Sequence, residues 1–128
     1  MKKTLSIFLV LLGLMIVNLV ANSSFSYAQD VWVYSRERGN THEEYYVDPE
    51  RIIESRDTVE FTVPYKIVSN GKISKNERML FSLQKDGKWY CKFETSTYAP
   101  WLVNSSEAEQ NAFDVCVPYC TWAQKYPR

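Results

Sequence analysis

Residues 58–71 read TVEFTVPYKIVSNG, and their pattern decides the fold class. Val59, Phe61, Val63, Tyr65 and Ile67 fall on one side of a two-residue repeat. Thr58, Glu60, Thr62 and Lys66 fall on the other. That alternation is the mark of a strand with one buried face. Asn70-Gly71 ends it with the residues of a tight hairpin turn. Pro64 has no backbone N–H for a ladder, so the strand is expected at a sheet edge, or bulged at that point.

Working outward, Arg78 to Leu83 (RMLFSL) supplies the returning strand, and Asp86-Gly87 the next turn. From Lys88 to Tyr98 the alternation resumes. Trp89, Cys91 and Phe93 point one way, and Tyr90, Lys92 and Glu94 the other. Short turns between such runs make an antiparallel meander. Upstream, Val31–Tyr34 (VWVY) and Tyr45–Asp48 (YYVD) read as short strands separated by a polar loop, RERGNTHEE. Asp48-Pro49 then starts a single turn, with Ile52 or Ile53 tucked inward.

After residue 103 the period changes. Ser106 and Glu109 have capping-box spacing, and Ala108, Ala112, Val115 and Cys116 form one apolar helical stripe with Phe113 beside it. Pro118 ends that helix, and Tyr119, Trp122, Ala123 and Tyr126 have the spacing of a second short one. The expected architecture is α+β: an antiparallel β-meander sheet of about five strands, with a C-terminal helix packed across one face.

The first residues, MKKTLSIFLVLLGLMIVNLVANSSFSYAQD, have a basic start, an apolar run from Leu5 to Val20, and Ser26-Tyr27-Ala28 at a cleavage position. This reads as a secretory signal peptide over residues 1–28, with one domain over residues 29–128. The apolar run is slightly short for a span of about 20 residues, which favours cleavage over an anchor, and no second long apolar run follows it, so no membrane association is expected after cleavage. All 15 acidic residues follow Ala28, whereas Lys2 and Lys3 leave with the signal, so the remaining domain is mildly acidic. It has no basic patch to attract nucleic acid. The localisation expected is extracytoplasmic: periplasm, cell surface or secreted.

The order of these features resembles the surface-adhesin protein E-like family of small exported bacterial proteins. Trp32 in an early strand, YYVDPERI with Tyr46, Asp48 and Ile52, Tyr98 closing the last strand, and WLVNSSEAEQNAFDVC with Trp101, Ser106, Ala108 and Cys116 carry the resemblance. It covers nearly the whole of residues 29–128. It implies an antiparallel sheet with a helix across one face, a periplasmic or cell-surface location, and adhesion to host matrix proteins of the kind the family's namesake type shows; it does not imply an enzyme.

The 3 cysteines are Cys91, Cys116 and Cys120. CVPYC has three residues between its cysteines, and the first ends a helix. A redox dithiol wants CxxC at a helix start, where the dipole lowers a thiol pKa. A zinc site would need His42, which lies in the polar loop with no paired cysteine knuckle. In an oxidising compartment a disulfide is the better reading. Cys91 shares the Trp89–Phe93 face and Cys116 the helical stripe, so Cys91–Cys116 is the expected bridge. It would close a loop of roughly 26 residues, a gain of about 3.5 kcal/mol on a chain-entropy argument. Cys91–Cys120 and Cys116–Cys120 remain as alternatives.

His42 beside Glu43 and Glu44 reads as a solvated loop, and Asp48 as a cap. With one histidine and no glycine-rich phosphate loop, no catalytic set, metal or cofactor is expected. The aromatics are the remaining lead. Tyr34, Tyr45 and Tyr90 are assigned to the sheet face opposite the helix as candidate partner contacts, because exposed tyrosines offer area at low entropy cost. The function expected is a small exported, adhesin-like binding domain for an extracellular protein or glycan. The alternatives are an envelope or assembly factor that forms a homodimer and, behind it, a thiol-based redox factor.

Overall fold

A computed structural model describes residues 30–128. The signal-peptide reading of residues 1–28 therefore lies outside the described residues. β4 (Glu60–Ser69) is the centre of the sheet, and Phe61, Val63 and Tyr65 point from it into the core as the alternation requires. β5 (Lys72–Leu83) returns from a turn in which Asn70 and Gly71 both take positive φ, 49° and 80°. Two positive φ values in a two-residue loop are what lets a hairpin follow the twist of its strands. β6 (Trp89–Phe93) and a two-residue β7 (Trp101–Leu102) complete one side.

On the other side lie β1 (Val31–Arg38), β2 (Thr41–Val47) and a two-residue β3 (Ile53–Glu54). The ladder order is β1-β2-β4-β5-β6-β7, all antiparallel, with β3 joined to β4 beside it. The sheet therefore has seven strands rather than about five, and it is curled into a half-barrel. The difference is the two short strands β3 and β7; the first hairpin is longer than expected but adds no strand. The stretch expected to be a polar loop is the end of β1, a turn at Gly39-Asn40, and the start of β2. Its charged residues pair across the hairpin, Arg36 opposite Glu43 and Glu37 opposite His42.

Pro64 sits on the central strand, not at an edge. Its carbonyl accepts from Asp48 N at 3.1 Å, so the ring nitrogen faces the same side, where β2 has ended at Val47 and β3 has not begun. The missing donor thus falls in a gap between two partner strands. Asp48 begins a 3-10 turn (Pro49–Arg51) without a side-chain cap bond and pairs with Arg51 at 3.4 Å. Ile52 packs on the core and Ile53 is exposed.

Helix α1 (Glu107–Cys116) lies against the inner face of the sheet. Phe113 is its anchor, with ring centroids 5.8 Å from Phe61, 5.8 Å from Phe81 and 5.0 Å from Trp89. Ala108, Ala112 and Cys116 bury the same stripe. The Ser106–Glu109 pair forms side chain to side chain: the Ser106 hydroxyl donates to the Glu109 carboxylate, and no side-chain bond caps the helix backbone. After a 3-10 turn over Val117–Tyr119, α2 (Thr121–Lys125) closes the chain. Asn111 of α1 donates to the Val33 carbonyl at 2.8 Å, where β1 is bulged between Trp32 and Tyr34. A bulge and a helix side chain together blunt that outer edge against pairing with another strand.

The three cysteines are free and buried, so the expected Cys91–Cys116 bridge is not formed. The shared face was read correctly, but the register along it was not. On β6, Phe93 lies against Tyr65, whose hydroxyl reaches Glu109 in the first turn of α1, and Trp89 lies against Phe113. Cys91 falls between those levels, and Cys116 lies three residues past the second, about 4.5 Å further along the helix. The Cys91 thiol meets the Trp101 carbonyl at 3.7 Å instead.

Cys120 has a structural partner in Glu54 of β3, 3.3 Å away. The same carboxylate accepts from Trp122 N at 3.0 Å and from the Thr121 hydroxyl at 3.3 Å, tying β3 to α2. Burial alone would raise the Glu54 carboxyl, but these donors outweigh it and hold it below its ordinary range. Glu54→Ala is expected to cost about 2 kcal/mol, the worth of hydrogen bonds to a charged acceptor. Because the folded pKa is depressed, this contribution is present above the unfolded value and is lost as pH falls through the folded one. Urea midpoints of the two proteins that fail to converge in acid would contradict it.

Candidate binding groove

The curl leaves one end of the inner face uncovered, because α1 starts only at Glu107. An open groove of about 510 Å³ lies there, lined by residues of β1, β2, β4, β6, β7 and the first turn of α1. Its floor and walls form an aromatic arc. Tyr34 and Tyr45 are 5.5 Å apart between centroids, Tyr45 and Tyr65 6.2 Å, Tyr65 and Phe93 5.6 Å, and Phe93 and Trp101 6.1 Å. Strand periodicity explains the arc, since these rings occupy inward positions on β1, β2, β4, β6 and β7, and Tyr65 of β4 reaches Phe93 of β6 across β5.

Charges rim the arc. The Arg36 guanidinium lies over the Tyr45 ring at 5.7 Å and pairs with Glu43 at 3.1 Å. Lys75 lies over Phe93 at 4.0 Å and pairs with Glu77 at 3.5 Å. Glu107 is exposed at the start of α1, whereas Glu109 is buried at 7 % exposure and takes a hydrogen bond from the Tyr65 hydroxyl at 3.3 Å. Burial, and next the charge of Glu109, push the Tyr65 phenol far above its ordinary value, so it stays a donor.

The tyrosines chosen from the sequence separate. Tyr34 stands half-buried at the groove wall. Tyr45 is a core residue, 6 % exposed, and not on the face opposite the helix. β2 turns Glu43, Tyr45 and Val47 inward together, and the bulge at Val33 brings Tyr34 in beside them. Tyr90 does lie on the outer face, half-exposed, with its hydroxyl on Asp86 at 2.7 Å. The aromatics that share that face with it are Trp32, 58 % exposed, and its cross-strand partner Tyr46. The structure thus brings Tyr34 and Tyr45 together at the groove and leaves Tyr90 apart on the outer face.

Sequence reasoning missed Arg36, Phe93, Trp101, Glu107 and Glu109. Glu109 had a legible signal: it shares the spacing of Ala112, Phe113 and Cys116 and so falls inside the apolar stripe. A carboxylate on the core face of a helix marks a place where charge is held for a reason.

His42 is on the outer face of β2, its ring nitrogens bonded to Glu37 and to Glu44, the latter at 3.1 Å. These two hydrogen bonds, Glu37 first, raise its pKa above the ordinary 6.5. Their stabilising effect is complete below the unfolded pKa and is lost as pH rises through the folded one. An NMR titration should place His42 above 6.5, with Glu37→Gln moving it back down. A titration at or below 6.5 in the unaltered chain would disprove the pairing.

Among the described residues no group of three or more His, Cys, Asp or Glu side chains is placed to hold a metal ion, and no helix is long and apolar enough to cross a membrane. Compared with protein-family models, curated proteins and solved structures, the chain matched none.

Proposed function

We propose that this chain is a small exported, adhesin-like binding module that takes an extracellular protein or glycan partner without catalysis. The observation that carries the reading is the groove. An open concavity walled by Tyr34, Phe93 and Trp101, with polar groups at its rim, has the composition of a recognition site. The sequence resemblance to surface-adhesin protein E-like proteins supports the partner class, and the leader-like residues 1–28 support export. The groove, rather than the outer sheet face, is the better contact surface, because it offers aromatic area that is concave and already ordered by packing. The blunted β1 edge weighs against the homodimer alternative wherever that relies on strand pairing.

The test is binding of the purified chain to immobilised matrix proteins and to a glycan array. Tyr34→Ala and Trp101→Ala are each expected to weaken binding about tenfold or more, as central aromatic contacts do. Retained binding in both variants, or no binding by the unaltered chain, would refute the reading.

A further inference from the structure

We infer that the groove selects a cationic side chain, a lysine or arginine presented on an extended segment of a partner protein. The inference rests on the binding-module reading and specifies its ligand. Its basis is a charge count at the site. The two cations at the arc each have a carboxylate of their own, Arg36 with Glu43 at 3.1 Å and Lys75 with Glu77 at 3.5 Å. Glu107 and Glu109 have no cation partner among the described residues. Glu109 is 93 % buried by its 7 % exposure, and its donors are hydroxyls, those of Tyr65 and Ser106. The start of α1 offsets part of this charge. A buried carboxylate without a counter-ion is nonetheless costly, and the cost is relieved when a cation arrives.

The rings beside these carboxylates are suited to the same guest. Aromatic faces attract ammonium and guanidinium groups. This protein already uses two of them that way, with Arg36 over Tyr45 at 5.7 Å and Lys75 over Phe93 at 4.0 Å. Tyr34 and Trp101, at the two ends of the arc, carry no such cation among the described residues. A long aliphatic stem can lie on the rings that line the groove while its charged head reaches Glu107 and Glu109. A neutral sugar would use the rings and leave the two charges uncompensated.

The experiment is an amide and indole NMR titration of the chain with the capped peptide acetyl-Gly-Lys-Gly-Lys-Gly-amide. Its norleucine counterpart and maltohexaose are run in parallel. Saturable shifts are expected at Tyr34, Phe93, Trp101, Glu107 and Glu109, weakened by salt. Glu107→Gln, a surface change that leaves the core alone, should weaken the lysine peptide about threefold, and Glu107→Lys about tenfold. Equal shifts with the norleucine peptide, occupancy by the sugar instead, shifts on the outer face, or affinity indifferent to both Glu107 variants would overturn the inference. Any of these alongside retained binding to matrix proteins sinks the ligand class alone. Loss of that binding as well sinks the function.

Discussion

Phe113→Ala is expected to destabilise the protein by about 4 kcal/mol, the usual cost of emptying a fully packed aromatic site. Phe113 is 1 % exposed and is the only ring of α1, touching Phe61, Phe81 and Trp89 at 5.0 to 5.8 Å. Its neighbours on the helix stripe are Ala108 and Ala112, whose methyl groups cannot collapse into the space left behind. A domain of this size has a total stability of roughly 5–15 kcal/mol, so the loss is a large part of it. The thermal midpoint should fall by about 20 °C. Phe113→Leu, which keeps most of the volume, should cost about 1.5 kcal/mol. Urea denaturation of the three proteins checks the series. A Phe113→Ala midpoint near that of the unaltered chain would mean that the helix does not anchor on the sheet through this ring.

The rings that surround Phe113 were legible because they come from the parts of the sequence with unambiguous periods. Phe61, Val63 and Tyr65 alternate, Asn70-Gly71 has one favoured geometry, and Phe113 lies beside a helical stripe. The two strands of the first hairpin were legible in VWVY and YYVD, but its charged end was not legible by hydrophobicity, because Arg36, Glu37, Arg38, His42, Glu43 and Glu44 leave it no apolar alternation. Its signal is electrostatic: unlike charges fall opposite one another across Gly39-Asn40, and such pairs stabilise antiparallel strands. Pro64 misled for a different reason. The rule that proline avoids central strands concerns the side on which its nitrogen points, and partner-strand length is a tertiary fact absent from the local sequence. The cysteine register failed likewise, since a shared face fixes which side two residues are on but not how far along it they lie.

Tyr45 brings these points to a measurement. From the sequence it is a surface contact, and in the structure it is 6 % exposed, between Tyr34 and Tyr65, beneath Arg36. Tyr45→Ala is therefore expected to cost about 3 kcal/mol, near the lower end of aromatic-to-alanine losses, because one side of the ring borders the open groove. Burial first, and then the Glu43 and Glu109 charges acting against Arg36, raise its phenol above the ordinary range, so the hydroxyl stays protonated and donates to Glu43 at 3.3 Å. Tyr45→Phe removes that long bond alone and should cost about 0.5 kcal/mol. Tyr90→Ala, on the outer face, should stay within about 0.5 kcal/mol of the unaltered chain. The ordering matters more than any single value. If Tyr45→Ala and Tyr90→Ala were equally mild, Tyr45 would have to be outward, and the inward register of β2 that builds the aromatic arc would be wrong. If Tyr45→Ala is costly and Tyr45→Phe is not, the ring is a supporting wall of the groove. Any loss of binding in the alanine variant must then be separated from unfolding by measuring it well below that variant's own melting midpoint.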